Sequence, residues 1–147
     1  MTDEPAVSGV DHVELFVSDA EAAADWYERV LGVTRASAFA EWWETGQGPL
    51  MLSVDDTTKL ALFERKTASR GGDVSPHRVA FGIDGDGFLS FLDDLDGLGL
   101  TDRHGDAVTR ADAVDHGLSY SLYFTDPDGN WLELTTNDHD VVAADLA

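Results

Sequence analysis

The sequence predicts an α+β fold made of two βαβββ modules, and three observations carry that prediction. Two short segments, HVELFV at residues 12–17 and RVAFGI at residues 78–83, place apolar residues in one shared alternation. Each is followed by an acidic helix-start signal and an amphipathic helical run. The chain then closes on LYFTDPDGNWLEL, two alternating strands around a tight-turn sequence.

The elements follow in order. In the first module Asp19 is placed to cap AEAAADWYERVL, where Ala23, Trp26, Tyr27 and Val30 recur at helical spacing and Gly32 ends the run. Trp26 and Tyr27 therefore read as core or interface residues. More strand-like runs follow, on which Trp42 and Trp43 should face opposite ways, and Leu60-Ala61-Leu62 closes the module. The second module repeats the plan: GFLSFLDDLDGLGL carries Phe88, Leu92 and Leu95 on its apolar stripe, and Leu132-Glu133-Leu134 matches the earlier closing strand. Module one spans about residues 8–66, a Gly-, Ser- and Pro-containing hinge 67–76, and module two about 77–137. An acidic tail, 138–147, lacks clear periodicity and is expected to run over the surface. All of this forms one domain, 1–147.

The closing hairpin is the most informative segment. Asp126, Pro127 and Gly129 fit a type I turn followed by a left-handed glycine, which makes a three-residue loop closed by Asp126 and Asn130. Tyr123 then falls opposite Glu133. Leu118, Tyr120, Leu122, Phe124, Leu132 and Leu134 form an apolar face; Ser119, Ser121, Tyr123, Trp131, Glu133 and Thr135 line the other. A lone mid-strand glutamate most simply faces solvent. One beside a phenol and an indole, in a strand that repeats an earlier one, is a candidate functional group.

DHVELFVSD, WYERVLG, HRVAFGID and LYFTDPDGNWLEL together resemble the vicinal oxygen chelate superfamily, which includes glyoxalase I, extradiol dioxygenases, and fosfomycin- and bleomycin-resistance proteins. Val114-Asp115-His116, then Leu122-Tyr123, Asp126-Pro127-Asp128-Gly129 and Glu133, resembles the signature run of the extradiol enzymes. The resemblance covers nearly the whole chain and implies a cupped, barrel-like mixed sheet. It also implies a divalent metal held by His12, His77 and Glu133, with Fe(II) or Mn(II) favoured and Ni or Zn as alternatives. Tyr123 and His116 would act as acid and base beside Glu133. Strand parity adds Glu14, Phe16, Phe63, Arg78 and Trp131 as substrate-binding residues for a small oxygenated, flat or aromatic ligand.

Two positions depart from the family pattern. Ala61 stands where many glyoxalase-like members have a ligand, which favours a three-ligand site. Matching the apolar register puts Arg78, not His77, at the second-half histidine position. A guanidinium cannot ligate a cation. Either a local bulge turns His77 inward, or the metal is lost and Arg78 pairs with Glu133 or Glu14, leaving a small-molecule binder of the resistance-protein kind.

Composition bounds the setting. With 29 acidic residues against 9 basic ones, the formal net charge is −20, which disfavours nucleic acid as a partner and resembles a halophilic, solvated shell. His104 and His139, set among acids, read as surface residues, and His116 reads as an exposed loop residue. The chain has no cysteine, so thiol chemistry and disulfides are excluded. No apolar run is long enough to span a membrane, and the start MTDEPAVSG lacks a basic secretory segment. A cytoplasmic homodimer acting on a small molecule is expected.

Overall fold

The computed structural model describes residues 9–65 and 77–146. The chain divides into two compact units, Met1–Ala68 and Ser69–Ala147. The expected hinge at 67–76 lies outside the described residues.

In the first unit, β1 (His12–Val17) leads into α1 (Ala20–Leu31), β2 (Thr34–Arg35), a short helix α2 (Ala40–Glu44), β3 (Leu50–Ser53) and β4 (Lys59–Glu64). The sheet order is β1-β4-β3-β2, with β1 parallel to β4 and the other pairs antiparallel. Alternation sorts Leu15, Val17, Leu50, Leu52, Leu60 and Leu62 onto a buried face, against which α1 packs Ala23, Ala24, Tyr27 and Val30. The expected caps are present. The Asp19 carboxylate accepts the Ala22 N–H at 3.0 Å, and Gly32 adopts φ 70° beyond the last turn. Glu64, at the end of β4, accepts the Ala20 N–H at 3.0 Å and ties the helix start to the sheet.

The second unit runs β5 (Arg78–Gly82), α3 (Gly85–Leu98), β6 (Val114–Asp115), β7 (Tyr120–Thr125), β8 (Trp131–Thr136) and α4 (His139–Leu146). Its order, β5-β8-β7-β6, repeats the first, again with the outer and closing strands parallel. Phe81, Leu122, Phe124, Leu132 and Leu134 are buried on one sheet face, and α3 supplies Phe88, Phe91, Leu92 and Leu95. The Phe91 and Phe124 rings lie 5.9 Å apart. The Asp84 carboxylate caps α3 through the Gly87 N–H at 2.8 Å, while Asp138 accepts the Gly85 N–H at 2.7 Å. The two units thus use the same device: a carboxylate at the end of the closing strand, or just beyond it, takes the first free N–H of the helix.

Three expectations are corrected. Trp42 and Trp43 lie on the helix α2, not on a strand; Trp42 is exposed beside Phe39, and the Trp43 indole donates to Glu21 at 2.6 Å. Leu118 sits in the loop before β7 and is 85% exposed, because Gly117 at φ 86° turns the chain out of the strand pattern. The acidic tail is a helix, α4: Val142 is fully buried, and the helix docks on α3 where Gly85 leaves room. In so short a segment, adjacent valines and alanines leave no clear helical period.

Candidate functional site

The hairpin between β7 and β8 fixes the site's geometry. Asp126 is buried, and its carboxylate accepts the N–H groups of Asp128 and Asn130, each at 2.9 Å, and the Asn130 side-chain amide at 2.8 Å. Gly129 at φ 85° completes the three-residue loop. This closure sets Tyr123 opposite Glu133 and Thr125 opposite Trp131, as the turn sequence requires. On the other side of β8, Arg78 pairs in register with Trp131 and Ala80 with Glu133. Arg78, Trp131, Glu133, Tyr123 and Ser121 consequently share one sheet face.

On that face the Arg78 guanidinium carbon lies 4.6 Å from the Tyr123 ring centre and 5.3 Å from that of Trp131. Arg103, from the loop after α3, approaches the same indole at 5.0 Å. These side chains border a cleft of about 490 Å³, closed further by Val108, Phe124 and His104. The Ser121 hydroxyl donates to Glu133 at 2.8 Å, and His116 Nε2 lies 2.8 Å from the Tyr123 hydroxyl. His116 is exposed, as expected, yet the turn at Gly117 aims its ring at Tyr123. Arg103 was not legible as a site residue, because its loop has neither helical nor strand period. Ser121 was placed on the right face, but nothing in the sequence marked it as buried.

The remaining candidates occupy the first unit and the start of β5. His12 opens β1, with Nδ1 2.9 Å from Asp11 and Nε2 3.3 Å from Glu14. Those two hydrogen bonds, Asp11's the larger, hold its pKa above the ordinary histidine value. The Asp11 carboxyl is held low by His12 first and Lys59 second. Phe16 and Phe63 are register partners with ring centres 6.2 Å apart, and Arg65 covers Phe16 at 4.3 Å. Glu14 pairs with the buried Ala61. The two units therefore reverse one motif: Glu on the outer strand beside Ala in the first, Ala on the outer strand beside Glu in the second.

The donors do not fit the three-ligand metal centre that the resemblance implies. Both nitrogens of His12 already face carboxylates, which favours the imidazolium, a form with no lone pair to give. His77 is exposed and lies one residue before β5; no bulge brings it into the ladder, and Arg78 takes the position beside Trp131. Arg78 lies over the Tyr123 and Trp131 rings, and among the described residues of the second unit it makes no ion pair with Glu133. Among the described residues no group of three or more His, Asp or Glu is gathered as a metal would need. No described helix is long and apolar enough to cross a membrane.

The fold is shared with solved structures of low sequence identity. A glyoxalase/dioxygenase from Nostoc punctiforme is similar at a TM-score of 0.67 and 19% identity, over 93% of this chain and 99% of that one. A lactoylglutathione lyase from Agrobacterium tumefaciens gives 0.59 and 19%, over 91% and 97%. A glyoxalase/bleomycin resistance protein/dioxygenase from Alicyclobacillus acidocaldarius gives 0.61 and 18%, over 92% and 96%. No curated protein sequence matches the chain. The sequence profile of one family, however, matches residues 9–134, nearly the full length, and covers both repeats and the closing hairpin. The chain belongs to the Glyoxalase/Bleomycin resistance protein/Dioxygenase superfamily.

Proposed function

We propose that this chain is a small-molecule-binding member of its superfamily that works without a divalent metal, taking its ligand in the cleft beside Trp131. The observation that carries this reading is the position of Arg78. Its guanidinium rests over Tyr123 and Trp131 at the register position where the resemblance expects a histidine ligand. A fixed positive charge there can hold an oxygen-bearing ligand as a cation would, but offers no open coordination position for activating it.

A second reading keeps the metal: an enzyme of the ring-cleaving or isomerising kind, with Fe(II) or Mn(II) on His12, His77 and Glu133. It is supported by the His116 and Tyr123 pair, whose 2.8 Å contact opposite Glu133 suits proton transfer. The name of the similar lactoylglutathione lyase is in keeping with it.

Metal analysis of protein purified in high salt without chelator separates the two. Metal-free protein whose binding of aromatic ligands is unchanged by chelator is the expected result. Stoichiometric Fe, Mn, Ni or Zn, lost in His12→Ala and Glu133→Ala, would overturn it. Arg78→His should create metal affinity only if Arg78 displaced a ligand. The same proposal includes a cytoplasmic, salt-tolerant homodimer. Its supports are the net charge of −20, the absence of cysteine and the exposed Trp42.

A further inference from the structure

We infer that the cleft of the second unit is built for a small aromatic carboxylate, a ligand class that rests on the metal-free reading above. The chain carries only nine basic residues against 29 acidic ones, yet two of the nine converge on a single indole. Among the described residues Arg35, Lys59 and Arg110 form ion pairs, while Arg29, Arg65, Arg78 and Arg103 do not, and of these four only Arg78 and Arg103 meet at one cleft. Two like charges held near one ring repel each other, and the indole π-face offsets that only in part. An anion between or beside them removes the repulsion.

The acids bordering the cleft do not fill that role. Asp102 spends Oδ1 on the N–H groups of Asp106 and His104, at 3.0 and 2.8 Å, which hold its carboxyl below the usual range, with only a smaller pull from Arg103. Asp112 turns Oδ2 to the N–H and hydroxyl of Thr109, at 2.8 and 3.3 Å. Both carboxylates brace the loops that carry Arg103 and Val108, and neither closes to an ion pair with either arginine. On the sheet face Glu133 is held by Ser121, two residues along the strand from Trp131. Its charge lies on the same sheet face but outside the cleft's lining, and it favours a ligand whose carboxylate points toward the arginines.

The rest of the wall sets the ligand's shape. Trp131, Tyr123 and Val108 present flat or apolar surface, and a volume of about 490 Å³ suits a one- or two-ring molecule. A guanidinium matches a carboxylate in a planar, two-point arrangement, so a ring carrying its carboxylate in plane satisfies both. Inorganic phosphate would leave the aromatic wall uncovered.

The test is calorimetric titration of the full chain in high salt and chelator, with 2-naphthoate and its neutral counterpart 2-naphthamide as probes. Naphthoate should bind at least about tenfold more tightly than naphthamide. Arg78→Met and Arg103→Met should each weaken naphthoate about tenfold while leaving naphthamide within about twofold, and Arg78→Lys should fall between. If the near-ultraviolet dichroism of Arg78→Met is not native, the exposed loop substitution Arg103→Met carries the comparison. Equal affinity for the two probes would overturn the carboxylate assignment while leaving the metal-free binder standing, as would displacement of naphthoate by equimolar phosphate. Binding of naphthoate only after Fe(II) or Mn(II) replaces the chelator would instead overturn the metal-free reading. Failure of both probes in either buffer would overturn the ligand class.

Discussion

The Ser121 hydroxyl lies 2.8 Å from Glu133 Oε2 on the sheet face that carries the cleft, and Ser121 itself is buried. The same oxygen is 3.0 Å from Thr135 Oγ1, so a single proton is shared between a charged and a neutral acceptor, and the carboxylate has the stronger claim. Ser121→Ala removes that donor and leaves the half-buried Glu133 carboxylate without it. The expected loss is about 1–2 kcal/mol of unfolding free energy at neutral pH. Urea denaturation measures it, and the deficit should shrink when Ser121→Ala is made in a Glu133→Gln background. A loss of the same size in that background would mean that Ser121 matters only as packing.

Gly85 is where α3 and α4 meet. A Cβ there would lie 2.8 Å from Val141 Cβ and 2.9 Å from Asp138 Cβ, closer than real contacts allow. The Gly85 N–H also donates to Asp138, so the backbone approach is fixed by a hydrogen bond as well as by space. Gly85→Ala should force α4 outward and cost about 1–3 kcal/mol, despite alanine's better helix propensity. Hydrogen exchange should show faster exchange confined to α4. Unchanged protection there would show that the helix is held elsewhere.

Gly85 also marks how far the sequence could be read. The helix caps at Asp19 and Gly32 and the turn at Asp126 and Gly129 were legible because each is a local rule in which one residue type meets one backbone requirement. The pairing of Tyr123 with Glu133 followed from the turn alone. Contacts between segments distant in sequence were not legible: Glu64 to Ala20, Asp138 to Gly85, and Arg103 to Trp131. Among 29 acidic residues, nothing local marks Glu64 or Asp138 as the carboxylate that reaches a distant helix start. Arg78 shows the boundary between the two. Parity placed it on the site face, but its choice of aromatic rings over Glu133 was decided by tertiary placement.

Arg35 gathers three carboxylates of α1: Glu21 at 2.7 Å, Asp25 at 3.0 Å and Glu28 at 3.1 Å. The spacing of the three acids puts them on one helix face, where without Arg35 they would repel one another. Arg35 is the first cause of the lowered Glu21 carboxyl pKa, followed by the Trp43 indole. Because the group is substantially exposed, solvent screens it, and Arg35→Gln should cost only about 1–2 kcal/mol at low ionic strength. The difference from wild type should fade by about 1 M salt, where the screening length is roughly 3 Å. Over the same range the wild type should gain stability as self-repulsion from a net charge of −20 is screened. A denaturation series in KCl tests both trends, and a deficit independent of salt would assign Arg35 a packing role.

His139 should make the docking of α4 depend on pH. Its Nε2 lies 2.7 Å from Asp115 Oδ1, its ring stacks on Tyr120 at 4.9 Å, and Asp140 lies 3.7 Å from Nδ1. Hydrogen bonding to Asp115 is the main cause of a raised His139 pKa, with Asp140 adding to it and burial opposing it. The Asp115 carboxyl is held low, first by the Gly117 N–H and then by His139. A raised folded-state pKa means that the contribution is complete below the unfolded value of about 6.5 and is lost as pH rises through the folded value. At the acid end it is lost as Asp115 protonates. His139→Phe keeps a ring over Tyr120 and removes the charge, so the stability difference between wild type and variant should be largest in mildly acidic solution and decline toward alkaline pH. Urea midpoints for both proteins from about pH 5 to about pH 9 measure it. A difference that stays constant across that range would show that the ring stack, not the ion pair, holds the C-terminal helix.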